Sequence, residues 1–300
     1  MFLCSICLLS ILAQSPVREM PTQAVAVGNE RVPWFRHGHV VTFRGRGPYH
    51  GFAAYGPDGK LTFDKSFELP GSAGLASVGD VDFDANGNAA VAASATGSTA
   101  CGLHGVLLLD GTGLQIRFID TGCYIPGHVS IAPDHTIWTL GWQRDAGGVY
   151  EDREDYMIVR HYNLEGKQLD AFLPRSAFPK GLTPGSPGGP VSIAATAERI
   201  GVLCYSGTEG SKREWVELDM SGKAIRRVRL DGNQYFTAVF TADHRVYADA
   251  NPGLVRLDAV TQTWKPVAQQ GPALFGADGN KLVYRNACCG PIQLQWFEQP

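Results

Sequence analysis

Residues 82–87, DFDANG, carry the first half of a calcium loop, with oxygen side chains at alternate positions and a glycine where the chain must turn sharply. A helix–loop–helix calcium site would need Glu at the twelfth position, where Ala93 stands, and a shorter loop would want another Asp where Ala89 and Ala90 stand. Asp, Asn and Gly are equally the residues of a tight hairpin turn. The stretch is therefore read as a plain turn, with calcium as the alternative, and no other cofactor is expected. His37-Gly38-His39 has the spacing of a metal pair, because alternate residues of a strand face one side. It falls where a hairpin should turn, and a solvated turn is the simpler expectation. His135 and His244 occupy matching Asp-His turns. No Gly-x-Ser-x-Gly elbow, phosphate-cradling loop or dinucleotide fingerprint occurs.

Cysteine chemistry points to an oxidising compartment. Cys101 and Cys123 flank one hairpin and are expected to pair. Cys204 lies in the apolar run RIGVLCYSG and reads as a buried thiol. Adjacent Cys288 and Cys289 read as a staple in a loop, and no spacing resembles a zinc site. Export is also indicated by residues 2–13, FLCSICLLSILA, an uncharged apolar run too short to span a bilayer. Ala13 and Pro16 suit signal-peptide cleavage, although no basic residue precedes the run. The expected organisation is a signal peptide at 1–13 and one domain at 14–300, secreted or periplasmic, without a membrane span. A net charge of −3 gives no basis for binding nucleic acid.

The elements that must position these residues announce themselves by repetition. AAYGPDGKLTFDKSFEL, LLLDGTGLQIRFI, RHYNLEGKQLDAFL and VELDMSGKAIRRVRL each run strand, turn, strand. Their turn glycines, Gly59, Gly113, Gly166 and Gly222, are spaced by 54, 53 and 56 residues. A fifth copy, GLVRLDAVTQTWKPV, has Thr261-Gln262 in place of the glycine. Upstream of most of these lies another hairpin, as in VDFDANGNAAVAA, VSIAPDHTIWTLG and AVFTADHRVYADA. Paired hairpins repeated every 35–60 residues or so mark propeller blades. The count is six four-stranded blades, the last one strand short. Residues 22–27, TQAVAV, are expected to supply that strand and close the ring, which removes an exposed sheet edge. The fold class is thus all-β, a six-bladed β-propeller. The Pro/Gly-rich run at 178–190 is a connector between blades rather than a domain linker.

The first hairpins DVDFDANGNAAVAAS, IAPDHTIWTL and FTADHRVYADA resemble those of NHL-type six-bladed propellers and the TolB-like and gluconolactonase-like groups near them. That resemblance supports the fold more than any activity. Gluconolactonase-like propellers hold a divalent cation at the central channel through a Glu of the first blade and Asn and Asp of later blades. Glu30 lacks that group's Glu-Gly-Pro context, and Asp249 and Asn251 lack matching surroundings, so none is carried over as a ligand. Residues 142–156, WQRDAGGVYEDREDY, join the two hairpins of the third blade. Such loops share a face with the blade connectors. On that face a rim of His50, Tyr124, His128, Trp142, Arg144, Tyr150, Tyr235 and Arg285 is expected to take a ligand. The expected function is a non-catalytic binding or scaffolding module for a protein, peptide or carbohydrate. The alternative is a metal-dependent hydrolase or lyase working in the channel.

Overall fold

The computed structural model describes residues 17–19, 34–44, 49–56, 59–97, 100–143, 156–178, 193–205, 213–230, 237–249, 253–268, 273–285 and 293–298. These form six antiparallel four-stranded sheets. The innermost strands, one per blade in chain order, are Trp34–Arg36, Ser77–Phe83, Tyr124–Ile131, Ile193–Ala195, Ala238–Phe240 and Ala273–Asp278. Each blade then runs outward through three further strands. A single 3₁₀ turn at Arg175–Ala177 is the one helical element among the described residues.

Each seam between neighbouring blades has its own apolar core, and this is what makes the arrangement a closed ring. Phe43, Phe52, Phe63 and Phe83 fill the seam of blades one and two. Val106, Val129 and Tyr162 fill the second seam, and Trp138, Ile200 and Val216 the third. Trp215 and Phe240, then Val239 and Leu282, fill the fourth and fifth. Phe35 and Tyr55 of the first blade meet Phe275 and Val283 of the sixth, so the last seam is as apolar as the others. Strands covered on both faces read as continuous apolar runs, such as Ala89–Ala95 with five buried residues in succession. Outermost strands, such as Leu61–Ser66, bury one residue of six.

The second-hairpin turns follow one recipe. Asp110, Asp219 and Asp258 each accept two backbone amides from residues two to four places on. The glycines Gly59, Gly113, Gly166 and Gly222 all adopt φ between 78° and 86°. Gln262 takes the same left-handed region, φ 53°, in the copy without glycine.

The ring closes through the N-terminal segment, but not through the strand expected. Val17–Glu19 pairs antiparallel with Gln293–Glu298, setting Val17 opposite Gln295 and Glu19 opposite Gln293. Residues 22–27 lie outside the described residues. An outermost strand binds through its backbone and needs no apolar alternation, so the short polar VRE serves where the TQAVAV pattern was expected.

Candidate functional site

The innermost strands of blades one to three carry polar side chains to the axis. Asp80 and Asp82 stand two apart on Ser77–Phe83, and His128 and Ser130 two apart on Tyr124–Ile131, so each pair shares a strand face. Arg36 ends the innermost strand of the first blade. All five are buried.

Their contacts form a single network across four blades. Arg36 donates through Nη2 to both oxygens of Asp80, at 3.1 and 3.3 Å, and through Nη1 to the Ile193 carbonyl of the fourth blade at 3.2 Å. Asp80 also accepts the amides of Val81 and Val129 and lies 3.3 Å from His128 Nδ1. Asp82 Oδ1 lies 3.0 Å from His37 Nδ1. Asp82 Oδ2 accepts Ser130 Oγ at 3.0 Å and the Ile131 amide at 2.8 Å, and Ser130 Oγ in turn accepts the Ala195 amide. Burial alone would push the Asp82 carboxyl up. The His37 charge and hydrogen bond, Arg36 and the Ile131 amide outweigh burial and hold it at about 2. Conversely, the Asp82 charge raises the His37 imidazole above its ordinary value, against the opposing effect of burial. His39, stacked on Phe83 at 4.2 Å, is lowered by burial.

A cavity of about 400 Å³ opens above this network, at the end of the ring where the first hairpins turn. Arg36, His37 and Ser130 line it from the network side, and Thr241 and His244 from the fifth blade. Its remaining wall is mostly apolar and small, with Phe35, Val239, Phe240 and several alanines and glycines, and Thr196 as its polar member. Ala197 and Ala242 stand exposed at its rim. The volume lies in the range of small-ligand sites.

The expected rim residues are not assembled there. First-hairpin turns and hairpin-joining loops lie at opposite ends of an antiparallel blade, so the cavity is at the other end from the expected loop face. Tyr124 is interior. Its hydroxyl donates to the Ile158 carbonyl at 3.0 Å, and Arg160 covers its ring at 4.0 Å. His128 is fully buried on Asp80. Trp142 is half-buried against the core of the third seam. His50 is half-buried, with its amide on the Arg44 carbonyl. Arg285 ends strand Lys281–Arg285, paired with Leu294. Arg144, Tyr150 and Tyr235 lie outside the described residues, as do Glu30, Asn251, Cys288 and Cys289; Asp249 ends strand Val246–Asp249.

The candidate calcium loop divides into two parts with separate roles. Asp82 belongs to the axial network, whereas Asp84 accepts the amides of Asn86 and Asn88 at 2.8 and 2.9 Å and the Asn88 side chain. Gly87 supplies φ 80°. His37 does occupy a turn, with φ 41°, but it is half-exposed and tied to Asp82 rather than wholly solvated. Cys101 and Cys123 form the expected disulfide, and Cys204 is a buried thiol whose pKa burial raises. No helix among the described residues is long and apolar enough to cross a membrane. Arg36, Asp80 and Ser130 escaped the sequence reading. The signal that could have found them is the pair of polar residues spaced two apart on otherwise apolar innermost strands.

No known protein family matches the chain, and no curated protein does. Solved structures match in fold. A protein of unknown function from Bacteroides caccae is 14% identical over 84% of this chain and 78% of that one, with a TM-score of 0.48. A chain of a nidogen/laminin complex is 12% identical over 85% and 84%, with a TM-score of 0.49. A chain of a mitotic checkpoint complex is 10% identical over 96% and 93%, with a TM-score of 0.52. With six four-stranded sheets and a core at every seam, the chain is a six-bladed β-propeller closed by its N-terminal segment.

Proposed function

We propose that the chain is an exported, non-catalytic binding or scaffolding propeller that receives part of a peptide, protein or carbohydrate in its axial cavity. The observation that carries this reading is the cavity itself, set over a polar network whose carboxylates are already taken up by Arg36, His37, Ser130 and backbone amides. Such a floor is fixed, so ligand binding does not have to order it. A metal-dependent hydrolase would instead have to strip Asp80 and Asp82 from these partners before either could serve a hard cation. Export is supported by the apolar residues 2–13 and by the Cys101–Cys123 bond. The first-hairpin phrases favour the NHL-like and TolB-like groups within six-bladed propellers.

Thermal-shift screening of glycans and peptides against the parent protein and Ala242→Trp tests this. Ala242 is an exposed rim residue, so the indole should plug the mouth without disturbing the core. Stabilisation of the parent by some ligand, lost in the variant, is expected. Ligands that stabilise both equally would move the site elsewhere.

A further inference from the structure

We propose that the axial cavity recognises a carboxylate carried on a compact apolar group, with the carboxylate between His37 and His244. The inference rests on the reading of the cavity as the ligand site and names the ligand's chemistry. The ionisable side chains lining the cavity are Arg36, His37 and His244, and no carboxylate among the described residues lines it. Two acids of the neighbourhood stand behind Arg36 and His37, and a third is exposed beside His244. Asp80 and Asp82 are fully buried against Arg36 and His37, and Glu198 of the fourth blade lies 3.4 Å from His244 Nε2. Arg36 and His37 are therefore the members of their pairs that a ligand meets, and His244 lines the cavity where Glu198 does not.

His244 adds an independent observation. Its Nδ1 is buried and has no hydrogen-bond partner among the described residues, although the residue lines the cavity. A buried nitrogen without a partner costs free energy that an acceptor on a ligand would recover. The walls of Phe35, Val239 and Phe240, with small residues between, offer no further charge and leave room for an apolar body. The groups facing His37 are Asp82 from the second blade and Arg36 and His39 from its own hairpin. Those around His244 are Glu198 from the fourth blade and Asp243 and Arg245 from its own turn. Paired with Asp82, the His37 imidazolium persists to higher pH than a free one, so recognition should be strong in mild acid and weaken as pH rises through the His37 midpoint.

Isothermal titration with phenylacetate and with uncharged phenylacetamide tests the proposal. At about pH 6 the acid should bind at least about tenfold more tightly than the amide, because its hydrogen bonds are charge-assisted. That preference should shrink once the pH is taken above the His37 midpoint, read by imidazole NMR on the same protein. His37→Asn and His244→Asn should each weaken the acid toward the amide. Asparagine tolerates the left-handed backbone that both positions hold, φ 41° and 60°, so the turns should survive. A tripeptide ending in phenylalanine, with a free or an amidated C-terminus, separates the two sources of the group. Preference for the free terminus points to a peptide end, and binding of phenylacetate alone points to a small organic acid. Equal binding of acid and amide, blocked by Ala242→Trp, would overturn the carboxylate assignment and leave the cavity as the ligand site. Absence of binding by all four probes would overturn it as well.

Discussion

His37 Nδ1 lies 3.0 Å from Asp82 Oδ1, so the first turn of blade one is fastened to the innermost strand of blade two by a half-exposed imidazole and a fully buried carboxylate. The pKa of His37 is raised above its ordinary 6.5, so its contribution to stability is complete below that value and is lost as pH rises through the folded one. Asp82 is lowered from 3.8 to about 2, so its contribution is complete above 3.8 and is lost as pH falls through 2. The pair should therefore stabilise most between about pH 4 and 6.5. Melting temperatures of the parent and of His37→Asn across pH 3–9 or so should differ most in that window and converge in alkali. Comparison with the variant also removes the opposite contribution of His39. A constant difference across the whole range would contradict the pairing.

The two aspartates of residues 82–87 should separate cleanly. Asp82→Ala leaves the buried Ser130 hydroxyl and Ile131 amide, and the half-exposed His37, without their acceptor and should cost about 2–4 kcal/mol, roughly the penalty for two unsatisfied buried donors. Asp84→Ala removes local turn bonds and should cost about 0.5–1.5 kcal/mol. Urea denaturation measures both. Added calcium should leave the midpoint nearly unmoved. A cation held there would raise stability by about 2.7 kcal/mol at a hundredfold excess over Kd.

Closure gives a truncation test. A chain starting at Met20 lacks Val17–Glu19 and exposes the edge of Gln293–Glu298, whereas one starting at Gln14 keeps the pairing. The shorter chain should melt several degrees lower, since each kcal/mol is worth roughly 2–4 °C at this size. Equal melting temperatures would mean that these three residues are not the latch.

The disulfide closes a 22-residue separation across the second blade. Cys101→Ser with Cys123→Ser should lower stability by about 2–4 kcal/mol. Mass mapping of non-reduced peptides should recover the two cysteines as one linked pair, and recovery of both as free thiols would contradict the bond.

How far the fold could be read from sequence depended on which features rest on local rules. The blades were legible because Gly59, Gly113, Gly166 and Gly222 mark turns that require a left-handed φ, and their spacing counts the repeats. The closing strand was misplaced because backbone pairing on the outside of a sheet leaves little trace in side-chain pattern, as Val17–Glu19 shows. The site was largely illegible. Tyr124 and His128 read as loop residues beside Pro126 and Gly127, yet their strand runs to the axis with every residue buried. Asp82 read as half of a turn because its partners His37, Ser130 and Ile131 lie in other blades. Only the closed ring brings those residues together.

The His37 titration midpoint, followed by imidazole NMR with and without phenylacetate, tests the cavity assignment most directly. In the free protein the midpoint should lie above 6.5 because Asp82 favours the charged ring. Saturating phenylacetate should raise it further, because an anion beside the imidazolium stabilises it, and the same coupling must tighten binding as His37 protonates. His244→Asn should leave the free midpoint in place and weaken the ligand-induced rise. A midpoint that ignores saturating phenylacetate would contradict the placement of a carboxylate beside His37.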